Sequence, residues 1–167
     1  MSELRELVIR DVLAADRDRL IEMFADLNRF EQPLSGDRRM DPDGAIAGLG
    51  SAELRVAESG GVAMVAVLGQ EVVGHVFVTV ERFGAHVRED LRSYAYVAEL
   101  FVCAPHRRRG IGAALVAAAE RFARARGLRR MLIGVLAGND AAHEAYRGYG
   151  FRLYACELIK DLDPAAV

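Results

Sequence analysis

Cysteine is scarce in this chain, neither sign of charge dominates, and no long apolar run occurs. The two cysteines, Cys103 and Cys156, lie far apart. That excludes a CxxC redox pair or a zinc knuckle and predicts two thiols in a reducing compartment. The formal net charge is -2, so the surface as a whole does not draw nucleic acid or an anionic membrane. No segment approaches the roughly 18 continuous apolar residues of a membrane span. The start, MSELRELVIRDV, is charged from residue 3 and has no signal-peptide core. These absences predict a cytoplasmic protein. His75, His86, His106 and His143 are scattered without ligand spacing, so no metal site is expected. Internal repeats and low-complexity stretches are absent as well.

What is present is a globular balance: 52% hydrophobic and 28% charged residues over 167 positions. A chain of this length forms one domain and buries roughly 70% of its unfolded surface. Leu4 to Val12 reads as a first strand. Leu20, Met23, Phe24 and Leu27 recur at helical spacing within Asp16 to Phe30. Glu31 to Asp43 carries Pro33, Gly36 and Pro42, which predicts a loop. A second, glycine-weakened helix follows over 43–58. Val62 to Leu68 and Val72 to Val80 are two strands joined by a hairpin turn, with Gly74 marking a bulge. Phe83 to Arg92 is a polar loop, and Tyr94 to Cys103 a strand that holds Glu99 among apolar residues. Gly110 to Arg126 is the best helix, with Ile111, Leu115, Ala118, Phe122 and Ala125 as its buried stripe. A strand over Met131 to Leu136, a short helix over Asn139 to Arg147 and a closing strand over Phe151 to Ile159 complete the order. The predicted class is α+β: one mixed, mostly antiparallel twisted sheet flanked by about four helices.

Two groups of residues carry chemistry. Arg107-Arg108-Arg109-Gly110-Ile111-Gly112 joins a strand to a helix. The first turn of that helix has amides without internal partners, the macrodipole adds positive potential, and the glycines admit a phosphate close to the backbone. The turn contains neither a Walker Gly-Lys-Ser/Thr nor a third glycine for a dinucleotide fingerprint, because Leu115 stands there. Asn139, Ala142 and Tyr146 follow at i, i+3 and i+7, so one helical face presents an amide, a small gap and a phenol. Asn139 also suits a helix N-cap, and Glu99 has a structural ion pair as its alternative.

Taken together, the strand ELFV, the turn RRRGIG and the stretch NDAAHEAYRGYGF resemble the GNAT superfamily of acyl-CoA-dependent N-acetyltransferases. The matching positions are Arg107, Gly110 and Gly112, then Asn139 and Ala142, then Tyr146, then Gly150 and Phe151. Pro105 falls one place later than the family's usual proline. The resemblance implies one N-acyltransferase domain over 1–167 with its cofactor-binding core at 94–159. It implies acetyl-CoA as co-substrate, its pyrophosphate on the amides of Arg108, Arg109, Gly110, Ile111, Gly112 and Ala113. The pantetheine arm would lie along Leu100, Phe101 and Val102, touching Asn139 and passing Ala142. Tyr146 would be the general acid and Glu99 the base. Direct attack by an amine makes an acyl-cysteine at Cys103 unnecessary.

The acceptor, a small-molecule or peptide amine, is expected to be read by residues 13–60 and 83–93. The arginine cluster lacks the interleaved aromatics of a nucleic-acid face. The last strands leave an edge at which a homodimer can form. A second class of function, an acyl-CoA sensor that binds without transfer, is weighed against the enzyme by the presence of both Glu99 and Tyr146.

Overall fold

The computed structural model describes residues 7–162. Five strands form one sheet in chain order: β1 (Leu7–Asp11), β2 (Val62–Leu68), β3 (Glu71–Arg82), β4 (Ser93–Val102) and β5 (Met131–Ile133). The first four pair antiparallel, and β5 joins β4 in parallel. Five helices flank them: α1 (Arg17–Ser35), α2 (Pro42–Ser59), α3 (Glu89–Arg92), α4 (Ile111–Ala125) and α5 (Asp140–Gly148). Among the described residues no helix is long and apolar enough to cross a membrane.

Strand alternation divides the core into two layers. Ile111, Leu115 and Ala118 of α4 pack on Met64, Val76, Val78 and Val97 of the sheet. On the opposite face Leu20, Met23 and Phe24 of α1 and Leu49 of α2 cover Val65, Phe77 and Phe101. The helix α2 is not the loose surface element its glycines suggest. A Cβ on Gly48 would stand 3.3 Å from the Phe24 ring, and one on Gly44 would stand 2.6 Å from Arg39 Cβ. These glycines let α2 close against α1 and the turn before it.

Several boundaries differ from the sequence expectation, each for a physical reason. Leu4, Arg5 and Glu6 lie outside the described residues. The helix α1 does not stop at Phe30 but runs through Pro33 to Ser35. Proline near a helix's C-terminal end forfeits little, because only the Arg29 carbonyl loses its partner. Gly36, at φ 76°, then ends the helix with its N–H on the Gln32 carbonyl. The α2 start is sharp because the Asp41 side chain accepts from Gly44 N–H and Pro42 occupies the first turn. The register slip in β2–β3 leaves Val73, next to Gly74, without a partner. Part of the 83–92 loop coils into α3. In α4 Phe122 is half-buried and Ala125 is exposed; Val116, Ala119 and Ala123 fill the stripe instead. The strand expected over 131–136 ends at Ile133, and the closing strand over 151–159 is not formed. The adjacent sheet edge, β5, is three residues long, and Leu153, Leu158 and Ile159 stay exposed.

A histidine sits inside this core. His75 of β3 is fully buried, stacked on Phe24 at 5.1 Å and on Phe101 at 5.8 Å, with Phe77 edge-on. Neither ring nitrogen has a hydrogen-bond partner in the described structure. Burial pushes its pKa down to about 3, so the ring is neutral when folded. The unfolded ring takes a proton near ~6.5. Stability from this site is therefore complete above that value and is lost as pH falls toward the folded value. About 2 kcal/mol should go between pH 7 and pH 5. Denaturant titrations of the wild type and His75→Phe at both pH values check this: the substitution should remove that increment, and an unchanged increment would refute the assignment.

Candidate active site

The site grows out of a defect in the sheet. The strand β4 pairs with β5 only through Ala95, Tyr96 and Val97. At the next residue the register with β3 slips and Ala98 is left without a partner. Beyond it, Glu99 to Val102 remain bonded to β3 while the β5 side is open. Antiparallel strands alternate between bonded and non-bonded pairs. Cys103 N–H donates to the Val73 carbonyl, so the bonded pairs on β4 are Cys103, Phe101 and Glu99. The main-chain groups of Leu100 and Val102, which pair with Val76 and Gly74, therefore point away from β3 into the gap.

That gap is a cavity of about 850 Å³. One wall is β4 from Tyr96 to Val102; another is the turn into α4, with Arg107, Arg108, Gly110, Ile111 and Gly112. The helix α5 closes it with Asn139, Ala142 and Tyr146, and the end of α1 adds Leu27, Phe30 and Glu31. Of the residues proposed from sequence, Arg109 and Ala113 stand outside the lining, both exposed on the turn and first helical residues. Cys103 does not border the cavity. Its thiol is buried, Arg19 lies 3.4 Å from the sulfur, and burial pushes its pKa up.

The turn is built to present backbone. Arg108 has φ 62° and Gly110 φ 79°, both left-handed, and Gly110 caps α4. A non-glycine residue in that region is uncommon and marks a turn held by its surroundings. Amides of the first helical turn lack intrahelical partners and concentrate positive potential. Gly112 has a second reason to lack a side chain: a Cβ there would stand 2.9 Å from the Tyr149 hydroxyl. Asn139 caps α5, its Oδ1 accepting from Ala142 N–H at 3.2 Å, which leaves its amide hydrogens for a ligand.

Two titratable groups face the cavity with shifted affinities. Glu99 is half-buried, and its pKa is raised to about 7. Loss of water is the main cause and the Glu31 charge adds to it, while Arg55 and Arg38 pull the other way. Tyr146 is raised to about 12, again chiefly by burial, with Tyr149, Glu31 and Glu99 adding. Near neutral pH the pair is therefore a half-ionised carboxyl and a fully protonated phenol. Such opposed settings are what acid–base chemistry needs. Glu81, an alternative carboxylate, is engaged elsewhere by Thr79 Oγ1 at 2.7 Å.

The family model of the acetyltransferase (GNAT) family matches residues 20–151, most of the chain. The chain belongs to the GNAT acetyltransferase family. This GNAT protein is an N-acetyltransferase, and its fold recurs among solved structures. One is a transcriptional regulator from Bacillus halodurans C-125, 21% identical, with TM-score 0.73 over 93% of this chain and 99% of that one. AAC(6')-Iy, solved with the bisubstrate analogue CoA-S-monomethyl-acetylneamine, is 16% identical with TM-score 0.67 over 94% and 98%. An aminoglycoside acetyltransferase from an uncultured soil metagenomic sample, HMB0005, is 21% identical with TM-score 0.66 over 94% and 99%. At these identities the likeness is one of fold. No curated protein sequence matches the chain.

The α1 side of the cavity was only partly visible in the sequence. Glu31 reaches the cavity because α1 continues past Phe30, and Arg38 holds it at 2.7 Å. Tyr96, over which the Arg55 guanidinium lies at 6.0 Å, borders the cavity, and a Cβ on Gly134 would stand 2.9 Å from its hydroxyl. Glu157 borders the cavity from the C-terminal segment. None of residues 83–93, an expected acceptor loop, does; Asp90 there is bound by Arg88 and Arg129. Arg107 lines the cavity as well. Its guanidinium lies over the Phe30 ring at 5.4 Å and the Phe101 ring at 5.5 Å, and Nε donates to the Val102 carbonyl at 2.8 Å.

Proposed function

We propose that this protein transfers an acetyl group from acetyl-CoA to a primary amine of a small cationic molecule. The observation that carries this reading is the placing of Glu99 and Tyr146 on one cavity, where the outward main chain of β4 ends. The residues present fit an acyl-CoA. The left-handed turn and the first amides of α4 suit a pyrophosphate. The outward groups of Leu100 and Val102 suit the amides of a pantetheine arm, as an added strand would. When bound, acetyl-CoA supplies a thioester as activated acyl group.

The chain's own residues then divide the work. Glu99, ionised, accepts a proton from the acceptor's ammonium, directly or through water, and leaves a nucleophilic amine. An outward amide of Leu100 or Val102 donates to the carbonyl oxygen as charge builds on it. The new C–N bond forms as the C–S bond breaks; Tyr146 Oη gives its proton to the departing sulfur, and the proton then lost by the acylated nitrogen returns to the Tyr146 phenolate. Asn139 steadies the arm with its amide hydrogens. The paired carboxylates Glu31 and Glu99 favour a cationic acceptor. The aminoglycoside acetyltransferases AAC(6')-Iy and HMB0005 share this fold, which supports a small amine of that class.

Release of free CoA thiol, measured with acetyl-CoA and a panel of aminoglycosides, polyamines, amino acids and lysine peptides, tests the proposal. Thiol release that depends on one class of amine is the expected result. Tight CoA binding with no release on any amine would replace this reading with that of an acyl-CoA sensor.

A further inference from the structure

The gap beside β4 is not empty of protein. The Val102 carbonyl points into it, away from β3, yet Arg107 Nε already holds that oxygen at 2.8 Å. The same guanidinium is stacked between Phe30 of α1 and Phe101 of β4. One side chain thus ties the α1 wall to the strand that would receive the pantetheine arm. We propose that Arg107 is an internal plug of the donor site, one that acyl-CoA must displace before its arm can pair with β4. The proposal rests on the acyl-CoA reading above and deepens it.

The chemistry of the contact supports a plug that leaves rather than a permanent ligand. The Arg107 guanidinium forms one hydrogen bond, to a neutral carbonyl, and among the described residues no carboxylate pairs with it. The ring contacts are weak, because Arg107 itself is exposed and so is Phe30, at 42%; a solvated cation gains little from a ring, even from the buried Phe101. An arm amide offers the Val102 oxygen an equivalent donor, so the exchange conserves hydrogen bonds. The guanidinium, once free, lies at the start of the Arg107–Gly112 turn, beside Arg108 and the exposed amides. Displacement also takes the cation off Phe30, next to Glu31 on the acceptor wall. The donor site and the acceptor wall are thereby coupled through one residue, and binding of the donor first is the natural order.

A plug and a phosphate ligand give opposite results on removal, which makes the test direct. Calorimetric titration compares CoA with 3′-phospho-ADP, its armless nucleotide half, on wild type and Arg107→Met. A site closed by its own side chain binds in proportion to the fraction open. One hydrogen bond and two weak ring contacts hold a closed-to-open ratio of about five to thirty. CoA should therefore bind Arg107→Met about five- to thirtyfold more tightly, while 3′-phospho-ADP binds both proteins alike. Phe30→Leu, at an exposed position, removes one ring, keeps the arginine and should tighten CoA binding in the same direction by less. Weaker binding of both ligands to Arg107→Met would make Arg107 a phosphate ligand and overturn the plug. Unchanged CoA affinity in both variants would overturn it too. A wild type that binds neither ligand would instead refute the acyl-CoA reading on which the plug rests.

Discussion

Replacement of Tyr146 by Phe should cut kcat by about 10²- to 10⁴-fold, the usual contribution of a positioned general acid. The substitution removes one oxygen and keeps the ring, which meets Phe151 edge-on at 6.1 Å. The cavity wall and its packing therefore survive. Burial and the neighbouring Tyr149, Glu31 and Glu99 hold the phenol protonated, with a pKa raised to about 12. A donor that stays protonated cannot limit activity from the alkaline side below that value, so the loss in Tyr146→Phe should be uniform from pH 6 to 9. CoA affinity should not change, since the proposed role sets the hydroxyl at the reacting sulfur and not at the nucleotide. Steady-state kinetics with titration calorimetry measure both quantities. Turnover equal to wild type would remove Tyr146 as the acid.

Glu99→Gln should erase the acid limb of the pH–rate profile and lower kcat/KM by about 10²-fold or more at pH 8. The sign follows from the direction of the shift. Lost solvation and the Glu31 charge raise the Glu99 carboxyl to about 7. Only the ionised form accepts a proton, so activity rises as pH climbs through that value. The same shift acts in reverse on stability. A carboxyl whose folded pKa lies above its unfolded value stabilises the fold fully at low pH, and loses that contribution as pH rises from the unfolded to the folded value. The glutamine variant, which carries no charge, should therefore be at least as stable as wild type at pH 8. That separates lost chemistry from lost fold. An unaltered pH–rate profile would transfer the role of base to another carboxylate of the cavity, with Glu31 first in line.

Much of the cavity wall formed by the glycine turn and α5 could be read in the sequence because it is local. The glycines of the turn, the Asn139 cap and the i, i+3, i+7 face of α5 depend on neighbours within a few residues, and short-range spacing states them directly. The α1 wall of the cavity depends on packing between distant segments. The extension of α1 through Pro33, which brings Glu31 to the cavity, is sustained where Gly48 of α2 lets Phe24 approach. No local signal reports it, and Pro33 argues the other way. The fold-back of Arg107 onto Val102, Phe30 and Phe101 depends equally on where α1 ends. His75 could have been flagged, since it shares strand parity with Phe77 and lies between apolar neighbours. The failed closing strand over 151–159 shows the opposite error: alternation supplies a strand's pattern, but a strand also needs an edge to pair with.

The order of strands in the sheet also bears on how the molecule is assembled and how it loosens. Only β2, β3 and β4 join through short connections: two residues between β2 and β3, and ten between β3 and β4. Short loops close at low entropic cost and early. This three-stranded meander, which includes Glu99, is expected to form the folding nucleus. The strand β1 must find β2 across two helices, and β5 must find β4 across a helical crossover, so both edges assemble late. Amide hydrogen exchange should therefore show a gradient, slowest in β3 and fastest at β1 and β5. The parallel ladder of three residues that anchors β5 is among the weakest seams in the sheet. The enzyme would thus hold its base on the part that opens last and grip its donor beside a part that opens first.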